Sequence, residues 1–218
     1  LRQLLAQLHQ RLLGLQQLGA GGALLQGGEF ALAGVQPAGN LEHLLQARSG
    51  VYLQSGAETV ENKHDRPGRG QYSPGTHYFY NNWDFNVLGA IFEQKTGLTL
   101  GDAIASWLAT PLGMQDFNRD HVLYDAAGSD SDYRTYRIHM SARDLARLGA
   151  LVAQDGRWQQ QQLVPASYLL SAAESQRNLY ASVGGLNLSG YGFLWWLGAN
   201  NGRVLQLAWG YGGQFVLT

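Results

Sequence analysis

The sequence contains no cysteine, few charged residues and no long apolar run. The absence of cysteine from its 218 residues excludes disulfides, thiolate metal sites and a cysteine nucleophile. Charged residues make up only 14% of the chain and the formal net charge is −1, so we expect no nucleic-acid partner. No stretch approaches the ~20 consecutive apolar residues of a membrane span. The hydrophobic content of 45% fits one large domain, or a core with a smaller lobe.

Motifs for metals and nucleotides are absent as well. The six histidines lack the paired spacing of metal ligands, and no Walker loop, dinucleotide fingerprint or Gly-x-Ser-x-Gly elbow occurs. We therefore expect no metal site and no cofactor. Residue 1 is leucine rather than methionine, and no basic region followed by an apolar run opens the chain. We therefore expect the natural protein to extend upstream of Leu1.

Hydrophobic periodicity and turn signals predict an α+β chain. The predicted helices cover 1–18, 41–50, 83–96, 101–109 and 141–156. Between them, the polar stretch 51–75 predicts a long surface loop. Aromatic and β-branched runs predict strands at 191–198, 203–210 and 213–218. The turn ANNG predicts a hairpin between the first two strands, and because the third stops at the chain end, we expect truncation there too.

The stretch YNNWDFN places a tyrosine and an amide at the start of the helix predicted over 83–96. The positive end of a helix dipole favours a phenolate, so Tyr80 is a candidate general base. Asn82, two residues later, could hold a substrate amide or a catalytic side chain. The alternative remains open that the stretch provides only aromatic packing and an asparagine N-cap.

Four segments in this order resemble the β-lactamase-related serine hydrolases: HLLQARSG, SPGTHYFYNNWDFNVLGAIFEQKTG, YRIHMSARDLARLG and WGYGGQFV. The resemblance extends over about 41–218 and includes class C β-lactamases, penicillin-binding proteins and 6-aminohexanoate-dimer hydrolases. It implies a β-lactamase/transpeptidase-like α+β fold, an antiparallel sheet flanked by helices, as a single partial domain truncated at both ends. The mainly helical lobe would cover about 41–180 and the sheet part about 185–218.

The resemblance also implies site residues. Tyr80 and Asn82 match the Tyr-x-Asn box of the family and would be catalytic. The third box, Lys-Thr-Gly or His-x-Gly on an inner strand, is best matched by Tyr211, Gly212 and Gly213, with tyrosine in place of lysine or histidine. The backbone N–H groups of such a strand form half of an oxyanion hole, although a glycine-rich bend alone would give the same letters.

Aromatic and basic side chains near these boxes are candidates for substrate contacts. Trp83 and Tyr136 would form part of a substrate-binding wall, although each could equally be a core residue. Arg137 and Arg143 could bind a substrate carboxylate, but Arg143 fits a surface position on a helix.

The first box of the family, Ser-x-x-Lys, supplies the nucleophile and does not occur in these 218 residues. The resemblance implies a serine acyl hydrolase that acts on an ester, amide or β-lactam carbonyl through an acyl-enzyme. We expect the nucleophile upstream of residue 1, so the chain alone would be inactive. The alternative is a non-catalytic binding protein of the same fold that has lost the nucleophile. The partner would be a small-molecule ester or amide, or a peptide, and the family favours a periplasmic or secreted location.

Overall fold

The computed structural model describes residues 41–125, 131–174, 181–183, 185–210 and 212–218. The described chain divides into two compact units. The first, the helical unit, comprises 41–101 and Asp120–Ile138, and the second, the sheet unit, comprises Asp102–Arg119 and His139–Thr218. The helix predicted over 1–18 lies outside the described residues. Among the helices that are described, none combines the length and the apolar character that a membrane crossing requires.

The helical unit is organised around one long buried helix. Its helices are α1 (Leu41–Leu45), α2 (Val60–Asp65) and α3 (Asn82–Thr96), and its strands are β1 (Val122–Tyr124) and β2 (Tyr136–Ile138). Gly97 ends α3 in the left-handed conformation at φ +69°, and its N–H donates to the carbonyl of Glu93. The predicted helix over 83–96 is therefore confirmed.

Strands β1 and β2 form an antiparallel ribbon that packs on α3. The Tyr136 ring lies against Gly89, where a Cβ atom would come within 2.5 Å of Cε1 of that ring. The Tyr136 hydroxyl donates to the carbonyl of Phe85 over 2.8 Å. On the other strand, the Tyr124 hydroxyl donates to the Glu93 carboxylate. These contacts fix the ribbon to one side of the helix.

Two local predictions in the helical unit need correction. Helix α1 ends at Leu45 and not near Gly50, because the backbone already turns to positive φ at Ala47 (+53°), before Gly50 (+74°) is reached. The stretch 51–75 is not loop throughout, since it contains the short exposed helix α2. The hydroxyl of Thr59 caps that helix by accepting from the Asn62 N–H over 3.1 Å.

The first of the remaining helices begins at Leu100 in the helical unit, and the others belong to the sheet unit. A helical stretch begins with α4 (Leu100–Ile104), continues as a π-helical turn over Ala105–Ala109 and closes with α5 (Thr110–Leu112). Helix α6 (Ala142–Ala153) begins after the N-cap Ser141, whose hydroxyl accepts from the Asp144 N–H over 3.2 Å. The predicted stop at Gly156 is three residues late. Helix α7 is Ala166–Ala173.

Asp144, three residues after the N-cap Ser141, contacts the segment that follows α5. Its carboxylate accepts from the backbone N–H groups of Gln115 and Asp116, over 3.1 and 3.2 Å. Asp144 thereby ties the start of α6 to the segment after α5, and its side chain is fully buried. Arg143, beside it, forms a two-pronged ion pair with Asp116 on the surface.

The strands of the sheet unit form a short ribbon and a five-stranded antiparallel sheet in the order β5-β6-β7-β8-β9. The ribbon is β3 (Arg157–Trp158) with β4 (Gln161–Gln162), and the sheet is β5 (Ala181–Val183), β6 (Leu186–Tyr191), β7 (Trp196–Asn200), β8 (Arg203–Gly210) and β9 (Gln214–Leu217). Asn201 and Gly202, both at positive φ, form the tight turn between β7 and β8, which confirms the predicted hairpin. Helix α6 packs on β9, where Gly149 lies beside Val216.

Candidate functional site

Tyr80 and Asn82 lie on either side of a buried asparagine. Asn81 has extended backbone angles, φ −117° and ψ 109°, and its side chain is only 2% exposed. Tyr80 and Asn82, on either side of it, are both half-buried. The two positions that match Tyr-x-Asn are therefore more accessible than the residue between them.

The start of α3 also has the asparagine N-cap and the aromatic packing that the alternative, non-catalytic interpretation predicts. The side-chain oxygen of Asn81 accepts from the Trp83 N–H over 3.3 Å and so caps the helix. The Tyr80 ring packs edge-on against Phe85, with 5.0 Å between ring centroids. These two contacts explain how the segment is held in place. They leave the catalytic hypothesis for Tyr80 open, because its hydroxyl takes part in neither contact.

The backbone of Tyr80 and the side chain of Asn82 are held by the segment around α2. The side-chain amide of Asn62 donates to the carbonyl of Tyr80 over 3.2 Å. The side-chain amide of Asn82 donates to the carbonyl of Ala57. Nearby, burial raises the pKa of Tyr78 well above its usual range, and the Tyr80 side chain adds to this effect. Tyr78 therefore stays a neutral phenol beside the candidate base.

A buried carboxylate below the helix start was not anticipated from the sequence. Oδ1 of Asp84 accepts from the hydroxyl of Ser49 over 2.6 Å and from the side-chain amide of Asn81 over 3.1 Å. Oδ2 of Asp84 lies 3.4 Å from the Ser49 backbone nitrogen, which donates to it. Burial raises the pKa of Asp84 to about 7, and the three donors act against that rise.

Asn86 forms a second polar link between α3 and its surroundings. Its side-chain amide donates to the hydroxyls of Ser55 and Thr135, each over 3.1 Å. The sequence signal for both links was visible, because Asp84 and Asn86 are polar residues within an apolar helix. The partners of these two residues could not be identified from the sequence, since Ser49 lies 35 residues from Asp84 and Thr135 lies 49 residues from Asn86.

Of the two aromatic candidates, Trp83 lies in the core of the helical unit and Tyr136 is half-buried on β2. Trp83 is buried and packs edge-on against Tyr133, with ring centroids 5.6 Å apart. Tyr136 is held by Gly89 and Phe85, as described for the β1–β2 ribbon. A role for Trp83 and Tyr136 in binding substrate stays a prediction. Arg137, also considered for a substrate carboxylate, forms an exposed ion pair with Asp125.

The glycines proposed for an inner strand lie instead in a turn. The inner strand β8 ends at Gly210, which pairs with Gln214, the first residue of β9. Gly212 and Gly213 lie between these strands at φ +77° and +80°, a conformation that favours glycine. Tyr211 lies outside the described residues. The strand position predicted for Gly212 and Gly213 was therefore wrong, and their contribution to an oxyanion hole stays a prediction.

Acidic and histidine side chains of the described segments do not gather into a metal site. No group of three or more of them in that part of the chain is placed to hold a metal ion. The exposed pair of His64 and Asp65, 2.7 Å apart, is an isolated contact on α2.

Comparison with known proteins gives a family and a fold. The family model described as Beta-lactamase matches residues 35–217. A D-aminopeptidase from Brucella ovis is 35% identical over 69 residues, which is 32% of this chain and 13% of that protein. The crystal structure of SurE with D-Leu superposes with a TM-score of 0.56 at 19% identity, covering 97% of this chain and 52% of that one.

A putative 6-aminohexanoate-dimer hydrolase from Bacillus anthracis is similar as well, with a TM-score of 0.51 at 18% identity over 82% of this chain and 54% of that one. The chain thus spans about half the length of these solved structures and a much smaller part of the D-aminopeptidase. The structural likeness, at identities this low, concerns the fold alone. It confirms the predicted α+β fold of the β-lactamase/transpeptidase type.

Proposed function

The chain belongs to the beta-lactamase family, a family of hydrolases, and on that premise we propose that it is part of a serine acyl hydrolase. The proposed substrates carry an ester, amide or β-lactam carbonyl, and the reaction passes through an acyl-enzyme. Its nucleophile is a serine of a Ser-x-x-Lys pair that precedes residue 1, because these 218 residues contain no such pair. The proposed reaction uses no cofactor.

The observation that supports this proposal is the position of Tyr80 and Asn82 at a helix start whose backbone is held by buried contacts. Asn81 anchors the segment in the core, and Asn62 holds the carbonyl of Tyr80. A general base must be held in place before it can accept a proton in the transition state. The Tyr80 hydroxyl emerges from such a fixed backbone.

In the proposed mechanism, the serine Oγ attacks the carbonyl carbon while its proton passes to Tyr80, assisted by the lysine of the same pair. Backbone N–H groups near Gly212 and Gly213, together with that of the serine, stabilise the oxyanion. Collapse of the tetrahedral intermediate transfers the proton to the leaving amine or alcohol. Water then attacks the acyl-enzyme with Tyr80 as base again, and Asn82 orients the lysine or the substrate.

The substrate class is proposed from one relative. A D-aminopeptidase is similar over 69 residues, so amides of D-amino acids are the first substrates to test. Simple p-nitrophenyl esters and a chromogenic β-lactam complete the set, because one acyl-transfer centre accepts all three and pocket shape selects among them.

The test is covalent labelling of the protein from its natural source with a fluorophosphonate, followed by intact-mass measurement. We expect one adduct, and we expect Tyr80→Phe to slow labelling and substrate hydrolysis by roughly 10²- to 10⁴-fold, as loss of a general base does. Tyr72→Phe is the matched control, because this exposed ring stacks on His77 and phenylalanine preserves the stack. Labelling of Tyr80→Phe at the unchanged rate would refute the role of Tyr80.

The second candidate function is recognition without catalysis. The absence of Ser-x-x-Lys from the 218 residues favours it. Such a protein would bind peptides or amides and hydrolyse none of them. Binding of a D-amino acid amide by the natural protein, without any fluorophosphonate adduct or turnover, would support recognition and reject the hydrolase.

A further inference from the structure

A closed set of buried contacts surrounds the start of α3. The carboxylate of Asp84 receives both the hydroxyl and the backbone N–H of Ser49, and also the side-chain amide of Asn81. All three side chains are at most 2% exposed. We name these three residues the Ser49–Asp84–Asn81 anchor. A buried acceptor with several donors has a strongly preferred geometry, because moving it leaves donors unpaired at a cost.

The anchor is linked through the backbone to the segment that leads into Tyr80. The Phe79 N–H donates to the carbonyl of Ala47 over 3.0 Å, and the Gly75 N–H donates to that of Arg48 over 2.8 Å. Two backbone hydrogen bonds therefore join residues 47–48 to the segment 75–79. Asp84 is the side chain that closes this pair of segments onto the helix.

Asn81 is the middle residue of Tyr-x-Asn, so its orientation sets the direction of both neighbours. Its side-chain oxygen accepts a hydrogen bond from the Trp83 N–H, and its side-chain NH₂ group donates to the Asp84 carboxylate. If the second contact is removed, the amide can rotate and the extended backbone at position 81 can turn with it. The Tyr80 hydroxyl, at the end of a long side chain, would then move further than the backbone does.

We propose that Asp84 is a positioning residue that fixes the direction of the Tyr80 and Asn82 side chains through Asn81. Its effect on catalysis depends on the proposed hydrolase function, whereas its effect on the Tyr80 side chain does not. Asp84 is too deeply buried to contact substrate, and it acts only through its neighbours. Burial of its carboxyl, with a pKa raised to about 7, is consistent with a group shielded from water by those neighbours.

The first measurement of the test is also independent of activity and is made on the natural protein. Tyrosine ring signals are recorded by NMR with isotope-labelled tyrosine, and Tyr80→Phe assigns the Tyr80 signal. We expect Asp84→Asn to shift the Tyr80 signal and its titration midpoint, because its NH₂ group faces donors where the carboxylate accepted. Asp144→Asn is the matched control, since Asp144 is an equally buried carboxylate that also holds two donors but lies in the sheet unit.

The second measurement is made on the natural protein. We expect Asp84→Asn to lower kcat about 10- to 100-fold with little change in KM, as a displaced catalytic group does. Asp144→Asn should lower the melting temperature but leave kcat unchanged below it. If Asp84→Asn does not fold, Asp84→Ser replaces it, because the shorter side chain withdraws the acceptor from the Asn81 amide and places no NH₂ group against the donors.

The two measurements separate the possible failures. An unchanged Tyr80 signal in Asp84→Asn, or in Asp84→Ser if that variant is used, overturns the positioning role. A shifted Tyr80 signal in a natural protein without acyl transfer supports the positioning role and rejects the hydrolase. A kcat that falls equally in Asp84→Asn and Asp144→Asn would mean that Asp84 contributes only stability, and it too overturns the proposal.

Discussion

Asp84 makes the stability of the protein depend on pH in an unusual direction. Most native carboxylates have lowered pKa values and lose their stabilising contribution as pH falls. Burial raises the pKa of Asp84 from the ordinary 3.8 to about 7, so the folded state binds the proton more tightly than the unfolded state. Its contribution to the free energy of unfolding is therefore complete below pH ~4 and is lost as pH rises through about 7.

The magnitude follows from the two pKa values. Their difference corresponds to roughly 4 kcal/mol, at 1.36 kcal/mol for each tenfold change in proton affinity. The side chain is 1% exposed, so solvent screens little of this energy. Asparagine at position 84 cannot ionise and would remove the pH-dependent part. It would add a pH-independent loss of about 1–3 kcal/mol, because one of the former donors then faces an NH₂ group.

The assay is urea unfolding of the chain and of Asp84→Asn at intervals between pH 4 and 8, followed by tryptophan fluorescence. We expect the stability of the native sequence relative to the variant to fall by roughly 4 kcal/mol across this range. Taking the difference cancels other titrating groups, such as His43, whose pKa is lowered by burial and which acts in the opposite direction. A difference that does not vary with pH, or that grows with pH, would refute the reasoning.

Two further predictions concern stability, one in the helical unit and one in the sheet unit. Gly89→Ala should lower the free energy of unfolding by about 1–3 kcal/mol, measured by urea unfolding, because its Cβ would lie 2.5 Å from the Tyr136 ring and this overlap outweighs the helix-propensity gain of about 1 kcal/mol. An increase in stability would show that the ring moves away freely. Asp144→Ala should cost roughly 3 kcal/mol in the same assay, since the N–H groups of Gln115 and Asp116 lose their acceptor, and amide exchange at these two positions should accelerate. Unchanged amide exchange at Gln115 and Asp116 would contradict the role of Asp144 as their acceptor.

Elements with local signals were predictable from the sequence. Helix α3 has a capping asparagine at one end and a glycine at the other, and the β7–β8 hairpin has Asn201 and Gly202 at its turn. Such signals depend on a few neighbouring residues. The resemblance placed Tyr80 and Asn82 at the helix start, and the structure has the buried Asn81 between them.

The remaining features depend on contacts between distant segments. Asp84 could be recognised as a polar residue in an apolar helix, but its partner Ser49 lies 35 residues away. Gly212 and Gly213 were placed on a strand because glycines allow close backbone approach as well as positive φ, and the sequence does not distinguish these two uses. The helix predicted over 41–50 was too long for a similar reason: Gly50 has positive φ in a turn that follows the end of the helix at Leu45.

The Ser49–Asp84–Asn81 anchor has a consequence for how this part of the sequence can diverge. A side chain at position 81 that cannot donate would leave Asp84 short of a partner, and an apolar side chain at 84 would leave Asn81 and Ser49 with unpaired donors in the core. Each position therefore limits what the other two tolerate. We expect the three residues to covary among relatives, so that the pattern Asn-x-x-Asp paired with an upstream serine marks those sequences that build the helix start in this way.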